Sequence, residues 1–406
     1  MEESPVFSYA EGGIVAPAGF MCAGVSAGIK RSGKRDVALL VAHESVPAAA
    51  VFTTNSMAAP PVVISREHIA DGMARAVIVN AGNANACTGP KGLVDAEVMA
   101  ATVAAELGCS DSAVLVASTG VIGVPLPMEI VTPGIVDACG ALDAADGDGA
   151  AHAIMTTDTF PKQVAVAVDV EGVRYTVGGM AKGSGMIMPN MATMLGFVTT
   201  DAPLTSDACE AALRGSVDAT FNRITVDSDT STNDMVLLMA SGAAGGAAID
   251  PVDPRFAPVA AAIEEVCGEL ARMIVKDGEG ATKFITVTVR GAMTDADAAE
   301  AAMSVANSPL FKTAIFGGDA NWGRVVMAVG KSSATVDPDR IEVIFAGITT
   351  CKDGTGFLFD EAAAAEALGR DEIEIVVDLH VGTSEATVWT CDLSYDYVRI
   401  NGDYRT

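Results

Sequence analysis

The amino-acid sequence predicts a layered protein of the α/β class, and three observations carry this prediction. Runs rich in Val, Ile and Thr alternate along the chain with patterns of helical period, which is the order that builds helices onto sheets. Half of the 406 residues are hydrophobic and only 19% are charged, as in a compact globular protein. Aromatic residues make up 5%, so the core is expected to consist mainly of small side chains.

Seven runs have the composition or the alternation of polarity that is typical of β-strands. They lie at residues 36–41, 76–80, 163–170, 235–240, 284–289, 341–345 and 373–379. Strands are therefore expected throughout the chain, with helices between them.

The clearest helical pattern covers residues 256–274. Its apolar residues recur on one face, at Phe256, Val259, Ile263, Val266, Leu270 and Met273. Gly278 follows a few residues later and is a suitable stop for this helix. A second helix is predicted over residues 206–221.

A chain of this length can form two domains, and we predict the boundary near Arg290 and Gly291. An Ala-rich helical pattern and a new set of strands begin there. This gives a main α/β domain over residues 1–290 and a smaller α+β domain over residues 291–406.

The net charge of −27 argues against a nucleic-acid partner and against an anionic membrane surface, because both require Lys and Arg. An anionic small substrate would need a local cation, because the protein as a whole repels it. The chain opens Met1-Glu2-Glu3, which has the wrong charge for a signal peptide. Its eight cysteines are scattered without a C-x-x-C pair, and its four histidines have no ligand spacing. We therefore expect a cytoplasmic protein with reduced cysteines and no metal site.

The most informative segment covers residues 182–195 and reads Lys-Gly-Ser-Gly-Met-Ile-Met-Pro-Asn-Met-Ala-Thr-Met-Leu. A threonine hydroxyl is a weak nucleophile, but cleavage of the bond before a threonine frees its α-amine to act as the base. Cleavage between Ala192 and Thr193 would therefore make Thr193 a catalytic centre. A plain loop that leads into a strand is the alternative interpretation. The glycines match neither a dinucleotide-binding fingerprint nor a P-loop.

Several other turns are rich in polar residues, at 80–89, 117–123, 155–159, 276–283, 317–324 and 400–406. Each by itself is more typical of a turn than of a site. Together with the segment 182–195 they form a more specific pattern.

With these motifs the chain resembles the ornithine acetyltransferase family, the bifunctional glutamate N-acetyltransferases of arginine biosynthesis, over about residues 19–406. The resemblance implies a sandwich fold like that of N-terminal-nucleophile hydrolases and related to self-processing aminopeptidases. It also implies self-cleavage into an α chain, 1–192, and a β chain that starts at Thr193. In such a family the threonine takes the acetyl group from N-acetylornithine and passes it to glutamate in a ping-pong reaction.

The resemblance also implies roles for individual residues. Thr119 and Gly120 match the family's oxyanion hole, although a tight turn at a strand end would suit the same residues. The positions that match substrate contacts are Thr156, Lys182, Thr193, Glu279, Asn401 and Thr406. Lys182 would anchor a substrate carboxylate, and Glu279 would attract the substrate's ammonium group or assist proton transfer. The turns 80–89 and 317–324 are assigned to structure or to shaping the site.

Alternatives to this function remain open at the level of sequence. The first is a self-processing aminopeptidase or amidase of the same fold, in which water takes the acyl group. The second is an uncleaved binding or scaffold protein. No cofactor is expected, and no residue decides whether acetyl-CoA also serves as a co-substrate. The cleaved chains are expected to form a heterotetramer of two α and two β chains.

Overall fold

The fold was analysed in a computed structural model that describes residues 6–188 and 194–403. The strands are β1 (Ser8–Tyr9), β2 (Phe20–Val25), β3 (Val37–Phe52), β4 (Met73–Asn83), β5 (Val114–Val121), β6 (Lys162–Val170), β7 (Val173–Lys182), β8 (Leu195–Thr200), β9 (Ile224–Thr225), β10 (Met235–Ala240), β11 (Phe284–Ala292), β12 (Glu342–Phe345), β13 (Ile348–Lys352), β14 (Thr355–Gly356), β15 (Glu372–Asp378) and β16 (Ser384–Cys391).

The α-helices of the described residues are α1 (Pro60–His68), α2 (Gly89–Leu107), α3 (Met128–Gly140), α4 (Gly147–Ile154), α5 (Ser206–Ala219), α6 (Phe256–Lys276), α7 (Asp295–Ala306), α8 (Pro309–Phe316), α9 (Trp322–Gly330), α10 (Glu361–Ala367) and α11 (Tyr395–Gly402). Each of the seven predicted strands falls on an observed strand. The ends agree to within a few residues except for the run 36–41, because its strand β3 continues to Phe52. The two predicted helices correspond to α5 and α6, and the class prediction is confirmed.

The larger sheet has the strand order β1-β6-β7-β8-β10-β3-β4-β5, with β2 paired to β3. Strand β3 is 16 residues long, and its register shifts between Val41 and Val46. Its first part pairs with β2 and β4, and its last part pairs with β10. The shift divides the sheet into two layers that face each other across a shared core.

Side chains alternate across both layers, because successive residues of a strand point to opposite faces. Leu40, Val77 and Leu237 lie in the core between the layers. On the outer faces, Val236 packs with α5 and α6, and Ile78 packs with α2 and α3. The main part of the protein is therefore a helix–sheet–sheet–helix sandwich.

The second sheet has the order β14-β13-β12-β15-β11-β16-β9 and a core of its own with α7, α8 and α9. Strand β11, which contains Arg290, is hydrogen-bonded within this sheet to β15 and β16. A boundary after residue 290 would therefore cut this strand, which the chain enters from α6 through the loop 277–283. The domain division itself stays a prediction.

All eight cysteines carry free thiols, as the sequence predicts. Among residues 6–188 and 194–403, no helix combines the length and the apolar character needed to cross a membrane.

Candidate active site

The predicted cleavage segment connects two neighbouring strands of the larger sheet. Lys182 ends β7 and lies opposite Leu195, the first residue of β8. Leu195 in turn lies opposite Met235 of β10, so the strand that follows the segment is paired on both sides. Ala192 and Thr193 lie outside the described residues. The residues on both sides of the segment fix where the chain leaves one strand and enters the next.

Lys182 is buried, with 6% of its surface exposed, and its Nζ donates to Thr119 Oγ1 at 3.3 Å. The structure thus brings together two residues that are 63 positions apart in the sequence. Burial lowers the pKa of the Lys182 ammonium, while the negative charges of Asp158, Asp234 and Glu279 oppose this effect. Because Thr119 accepts a hydrogen bond from a cation, its own O–H is free to donate to a substrate atom.

Thr119 and Gly120 lie near the end of β5, beside a bulge in the neighbouring strand β4. The register shifts there, so that Asn83 faces both Thr119 and Val121. Gly120 has a φ of 133°, and a Cβ atom at this position would lie 2.3 Å from the carbonyl carbon of Gly82. Only glycine fits this close approach of two backbones.

Buried polar side chains hold the ends of β4 and β5 in place. Ser118 Oγ donates to Asn80 Oδ1 at 2.6 Å, and Asn80 Nδ2 donates to the Asn83 carbonyl at 2.8 Å. From the loop before β10, Asn233 Nδ2 donates to the carbonyls of Ala84 and Ser118 at 2.6 and 2.9 Å. These bonds satisfy buried groups around Thr119 and Gly120. Three of the bonded residues, Asn80, Asn83 and Ala84, belong to the turn 80–89, for which the sequence predicts a role in structure or site shaping.

A second buried lysine, Lys162 at the start of β6, forms an ion-pair cluster that the sequence did not predict. Its Nζ lies 2.7 Å from Asp158 Oδ1 and 2.5 Å from Asp277 Oδ2, and its side chain has no exposed surface. Burial by itself would raise the pKa of Asp158, but Lys182, Lys162 and the Thr156 N–H hold it at about 2. Thr159 donates its N–H and its hydroxyl to Asp277.

The segment after Lys182 is hydrogen-bonded to the Asp158 carboxylate, to the Asp277 main chain and to a further carboxylate, that of Asp227. Gly183 N–H donates to Asp158 Oδ1 at 2.8 Å, and Ser184 Oγ donates to the Asp277 carbonyl at 2.6 Å. Asp227 accepts from the N–H groups of Met186 and Ile187, at 2.6 and 2.8 Å. The chain leading toward the predicted cleavage site is therefore held by these four hydrogen bonds.

Glu279 and Asn401 also meet at this segment. Asn401 Nδ2 donates to Glu279 Oε2 at 2.8 Å, and the Glu279 N–H donates to the Ser184 carbonyl at 2.9 Å. A Cβ atom on Gly185 would lie 2.3 Å from the Glu279 carboxylate carbon, so this glycine makes room for the acid. Helix α11 thus brings the C-terminal region to the site, although Thr406 itself lies outside the described residues.

A cavity of about 1190 Å³ adjoins these groups. Gly120 and Thr156 line it together with Asp158, and the loop 29–35 forms another of its sides. A second cavity of about 630 Å³ lies between β3 and α5, and none of the described residues that the sequence assigned to the site borders it. The first cavity is therefore the candidate substrate site. Within residues 6–188 and 194–403, no group of three or more His, Cys, Asp and Glu side chains could hold a metal ion.

Comparison with known proteins identifies the family of the chain. The model of the ArgJ family matches residues 21–406, nearly the whole chain. The chain belongs to the ArgJ family. The sequence-based assignment to the ornithine acetyltransferases of arginine biosynthesis is thereby confirmed at the level of the family.

Individual relatives of the ArgJ family are similar over their full length. The "Arginine biosynthesis bifunctional protein ArgJ" of Symbiobacterium thermophilum is 53% identical, over 97% of this chain and 99% of that protein. The protein of the same name from Geobacter sulfurreducens is 52% identical, over 96% and 99%. A crystal structure of the ArgJ protein from Bacillus halodurans is 46% identical with a TM-score of 0.51, over 52% of this chain and 100% of that chain.

The structure brings together near one segment and one cavity six residues for which the sequence predicts a role, and these roles stay predictions: Thr119, Gly120, Thr156, Lys182, Glu279 and Asn401. The sequence did not identify Lys162, Asp227 or Asn233. Asp158 and Asp277 lie inside turns that the sequence marked as polar, but nothing in the sequence paired them with Lys162.

Proposed function

We propose that this ArgJ protein cleaves itself between Ala192 and Thr193, and that Thr193 then carries an acetyl group from N-acetylornithine to glutamate. The observation that carries the proposal is the contact between Lys182 Nζ and Thr119 Oγ1 at the end of the strand that leads into the cleavage segment. It unites a candidate carboxylate anchor with a candidate oxyanion donor. Family membership over residues 21–406 supports the same reaction.

The reaction needs a base, an oxyanion donor and an anchor for the amino acid. The α-amine freed by cleavage would take the proton of the Thr193 hydroxyl, since an α-amine has a pKa of about 7.7–8.0 and is partly neutral near that pH. The Thr119 hydroxyl and the Gly120 N–H would stabilise the negative oxygen of the tetrahedral intermediate. Lys182 would hold the substrate carboxylate, because its ammonium lies in a site from which most water is excluded.

After the first transfer ornithine leaves, and the glutamate amine attacks the acetyl-threonine ester. The Glu279 carboxylate, held by Asn401, would attract the substrate's ammonium group as the amino acids exchange. The Bacillus halodurans chain corresponds to about half of this one, which is the share that each fragment, 1–192 or 193–406, would have. This length supports cleavage near the middle. A heterotetramer of two α and two β chains, and a cytoplasmic location, are further parts of the proposal.

Denaturing mass spectrometry of the purified protein tests the cleavage. We expect two fragments, 1–192 and 193–406, and one uncut chain for Thr193→Ala. Thr193→Ser is the matched control, because it keeps the hydroxyl and should still cleave. A wild-type chain that stays intact after long incubation would refute self-processing.

Incubation with N-acetylornithine in the absence of glutamate tests the intermediate. The fragment that starts at Thr193 should gain the mass of one acetyl group and lose it when glutamate is added, with formation of N-acetylglutamate. Release of free acetate in place of N-acetylglutamate would instead identify the enzyme as an amidase of the same fold.

A further inference from the structure

The loop 226–230, which follows β9, makes contacts with the predicted cleavage segment that the transfer of an acetyl group does not explain. Its Asp227 carboxylate accepts the N–H groups of Met186 and Ile187, at 2.6 and 2.8 Å. Asp227 is not among the described residues that border the candidate substrate cavity. Its contacts therefore concern the segment and not a bound substrate.

The same loop is hydrogen-bonded to the carbonyl groups of the segment. The Val226 N–H donates to the Ile187 carbonyl at 2.7 Å, and Thr230 Oγ1 donates to the Met188 carbonyl at 3.3 Å. The Ile187 side chain is fully buried in the core that includes α5 and α6. Since both backbone groups of Ile187 are also bonded to the loop, the segment cannot shift here without breaking several contacts.

The backbone conformation of Met186 shows what the Asp227 carboxylate contributes. Met186 has a φ of 56°, in the left-handed region that a residue with a Cβ atom rarely adopts. Its side chain is 41% exposed, so packing does little to maintain this conformation. Such a conformation persists only where the surroundings hold it, and a hydrogen bond to a carboxylate is among the stronger ones. Asp227 therefore stabilises the turn of the chain at Met186.

The chain is also held on the other side of the predicted cleavage site. The Met235 N–H donates to the Met194 carbonyl at 3.2 Å, and Leu195 pairs with Met235 in the sheet. Met235 begins β10, at the end of the same stretch of chain that contains the loop 226–230. The bond between residues 192 and 193 thus lies between two positions, Met188 and Met194, that this stretch binds.

Holding both sides of the bond matters because a hydroxyl attacks a neighbouring carbonyl efficiently only when the reacting atoms are brought to about 3–3.5 Å. We infer that the loop 226–230 positions the segment for self-cleavage, and that Asp227 is its main positioning residue. This inference rests on the proposed function, because it concerns the bond whose cleavage the proposed function requires.

In the cleavage step the Thr193 hydroxyl oxygen bonds to the Ala192 carbonyl carbon, and the C–N bond between the two residues breaks. The hydroxyl proton passes to the nitrogen, which becomes the α-amine of Thr193. Water then hydrolyses the resulting ester, so that its oxygen joins the Ala192 carbonyl carbon and a proton returns to the Thr193 oxygen. Asp227 takes no part in these bond changes and acts through the backbone of Met186 and Ile187.

The rate of cleavage after a short pulse of cell-free synthesis, followed by denaturing mass spectrometry, tests the inference. Asp227→Asn keeps the size of the side chain but replaces one acceptor oxygen by an NH₂ group, which cannot accept an N–H. Cleavage should become about 10–100-fold slower, because a misplacement of about 1 Å can cost on the order of 10²-fold in rate. The kcat for acetyl transfer, expressed per cleaved chain, should change little, since the contact between Lys182 and Thr119 does not involve Asp227.

Asp201→Asn is the matched control. The Asp201 carboxylate also accepts two backbone N–H groups, those of Thr176 and Ala18 at 2.7 and 3.4 Å, but it follows the far end of β8. This variant should cleave at nearly the wild-type rate. Thermal unfolding of both variants in a Thr193→Ala background, where every chain stays uncut, compares their losses of stability in the same covalent state.

Thr230→Val gives a second variant in the same loop, and it carries the test if Asp227→Asn does not fold. It removes one neutral hydrogen bond to the Met188 carbonyl and should slow cleavage less than Asp227→Asn does.

Wild-type cleavage rates in both loop variants would overturn the inference. Equal slowing by Asp201→Asn, or equal losses of cleavage rate and kcat in Asp227→Asn, would overturn it as well, because they would show a general effect on structure. In each of these cases the wild type cleaves and the proposed function stands. A wild-type chain that stays intact would refute the proposed cleavage and the inference together.

Discussion

Two buried lysines on neighbouring strands have different environments. Lys162 on β6 is neutralised by two carboxylates, at 2.7 and 2.5 Å, whereas Lys182 on β7 donates to a hydroxyl at 3.3 Å. The two lysines are close to one another, because Lys162 lies opposite Ala181, the residue before Lys182, in the sheet. A buried cation in direct contact with its counterions stabilises local structure. Lys182 instead donates to a neutral hydroxyl, and carboxylates act on it only through their charge, so it can still bind an anion. We therefore propose a structural role for Lys162 and a role in substrate binding for Lys182.

The largest expected effect is on stability and comes from removing Lys162 from its ion-pair cluster. Lys162→Met removes the cation that pairs directly with the buried Asp158 and Asp277, which should lower the free energy of unfolding by about 3–5 kcal/mol. Urea unfolding of the variant measures this loss. Lys182→Met is the matched control on the next strand and should cost much less. Equal losses for the two variants would contradict the distinction.

The next largest effect is expected on the rate of acetyl transfer, when the Thr119 hydroxyl that accepts a hydrogen bond from Lys182 is removed. Thr119→Val keeps the shape of the side chain but removes the oxyanion donor, so kcat for acetyl transfer should fall on the order of 10²–10³-fold. Steady-state kinetics on the cleaved enzyme measures the change. Thr119→Ser keeps the hydroxyl and should retain most of the rate. A Val variant with wild-type kcat would exclude Thr119 from the oxyanion hole.

Substitution of Lys182 itself should act mainly on binding. Lys182→Met removes a charged hydrogen bond to the carboxylate, so the KM for glutamate should rise about 10–100-fold. The lowered pKa of Lys182 means that its ammonium loses the proton at a lower pH than an ordinary lysine. KM should therefore rise on the alkaline side, and Lys182→Arg should move that rise to higher pH. A KM independent of pH in this range would argue against the anchor.

The smallest effect concerns the acid stability of the Lys162 cluster. The pKa of Asp158 is about 2 in the folded protein, below its ordinary value of 3.8, so the folded state binds fewer protons there than the unfolded state. This stabilisation is present above about pH 4 and is lost as the pH falls toward 2, amounting to roughly 2 kcal/mol. Unfolding measured across this range should show the loss, and Asp158→Asn should flatten it. An unchanged slope in the variant would place the titration elsewhere.

Local sequence was sufficient for much of the fold. Strands such as β10 and helices such as α6 carry their period in consecutive residues, so their positions could be read without knowledge of the rest of the chain. Helix α6, for example, buries the same face that its apolar spacing predicts. The larger sheet could not be ordered in this way, because β3 pairs with β10 across nearly two hundred residues.

Some residues of the candidate site could be predicted from the sequence, and others could be found only in the structure. Lys182, Thr119 and Glu279 could be marked from their motifs, because the resemblance to the family assigns them position by position. The pairing of Lys162 with Asp277 spans 115 residues, and no local pattern encodes a contact over such a distance. Asn233 was missed for the same reason, since its partners Ala84 and Ser118 lie in another part of the sheet.

The sequence by itself determined the class of the protein, its acidic character and the segment that leads to Thr193. It also marked the turns that supply the site, because turn residues and motifs are written in consecutive positions. Only the tertiary structure decided which of two buried lysines is neutralised and which faces a hydroxyl, since counterions are chosen by packing. The tertiary structure also placed four cations on one side of the cavity that Gly120 lines, which gives an acidic protein a local positive charge there: Lys30, Arg31, Lys34 and Arg35.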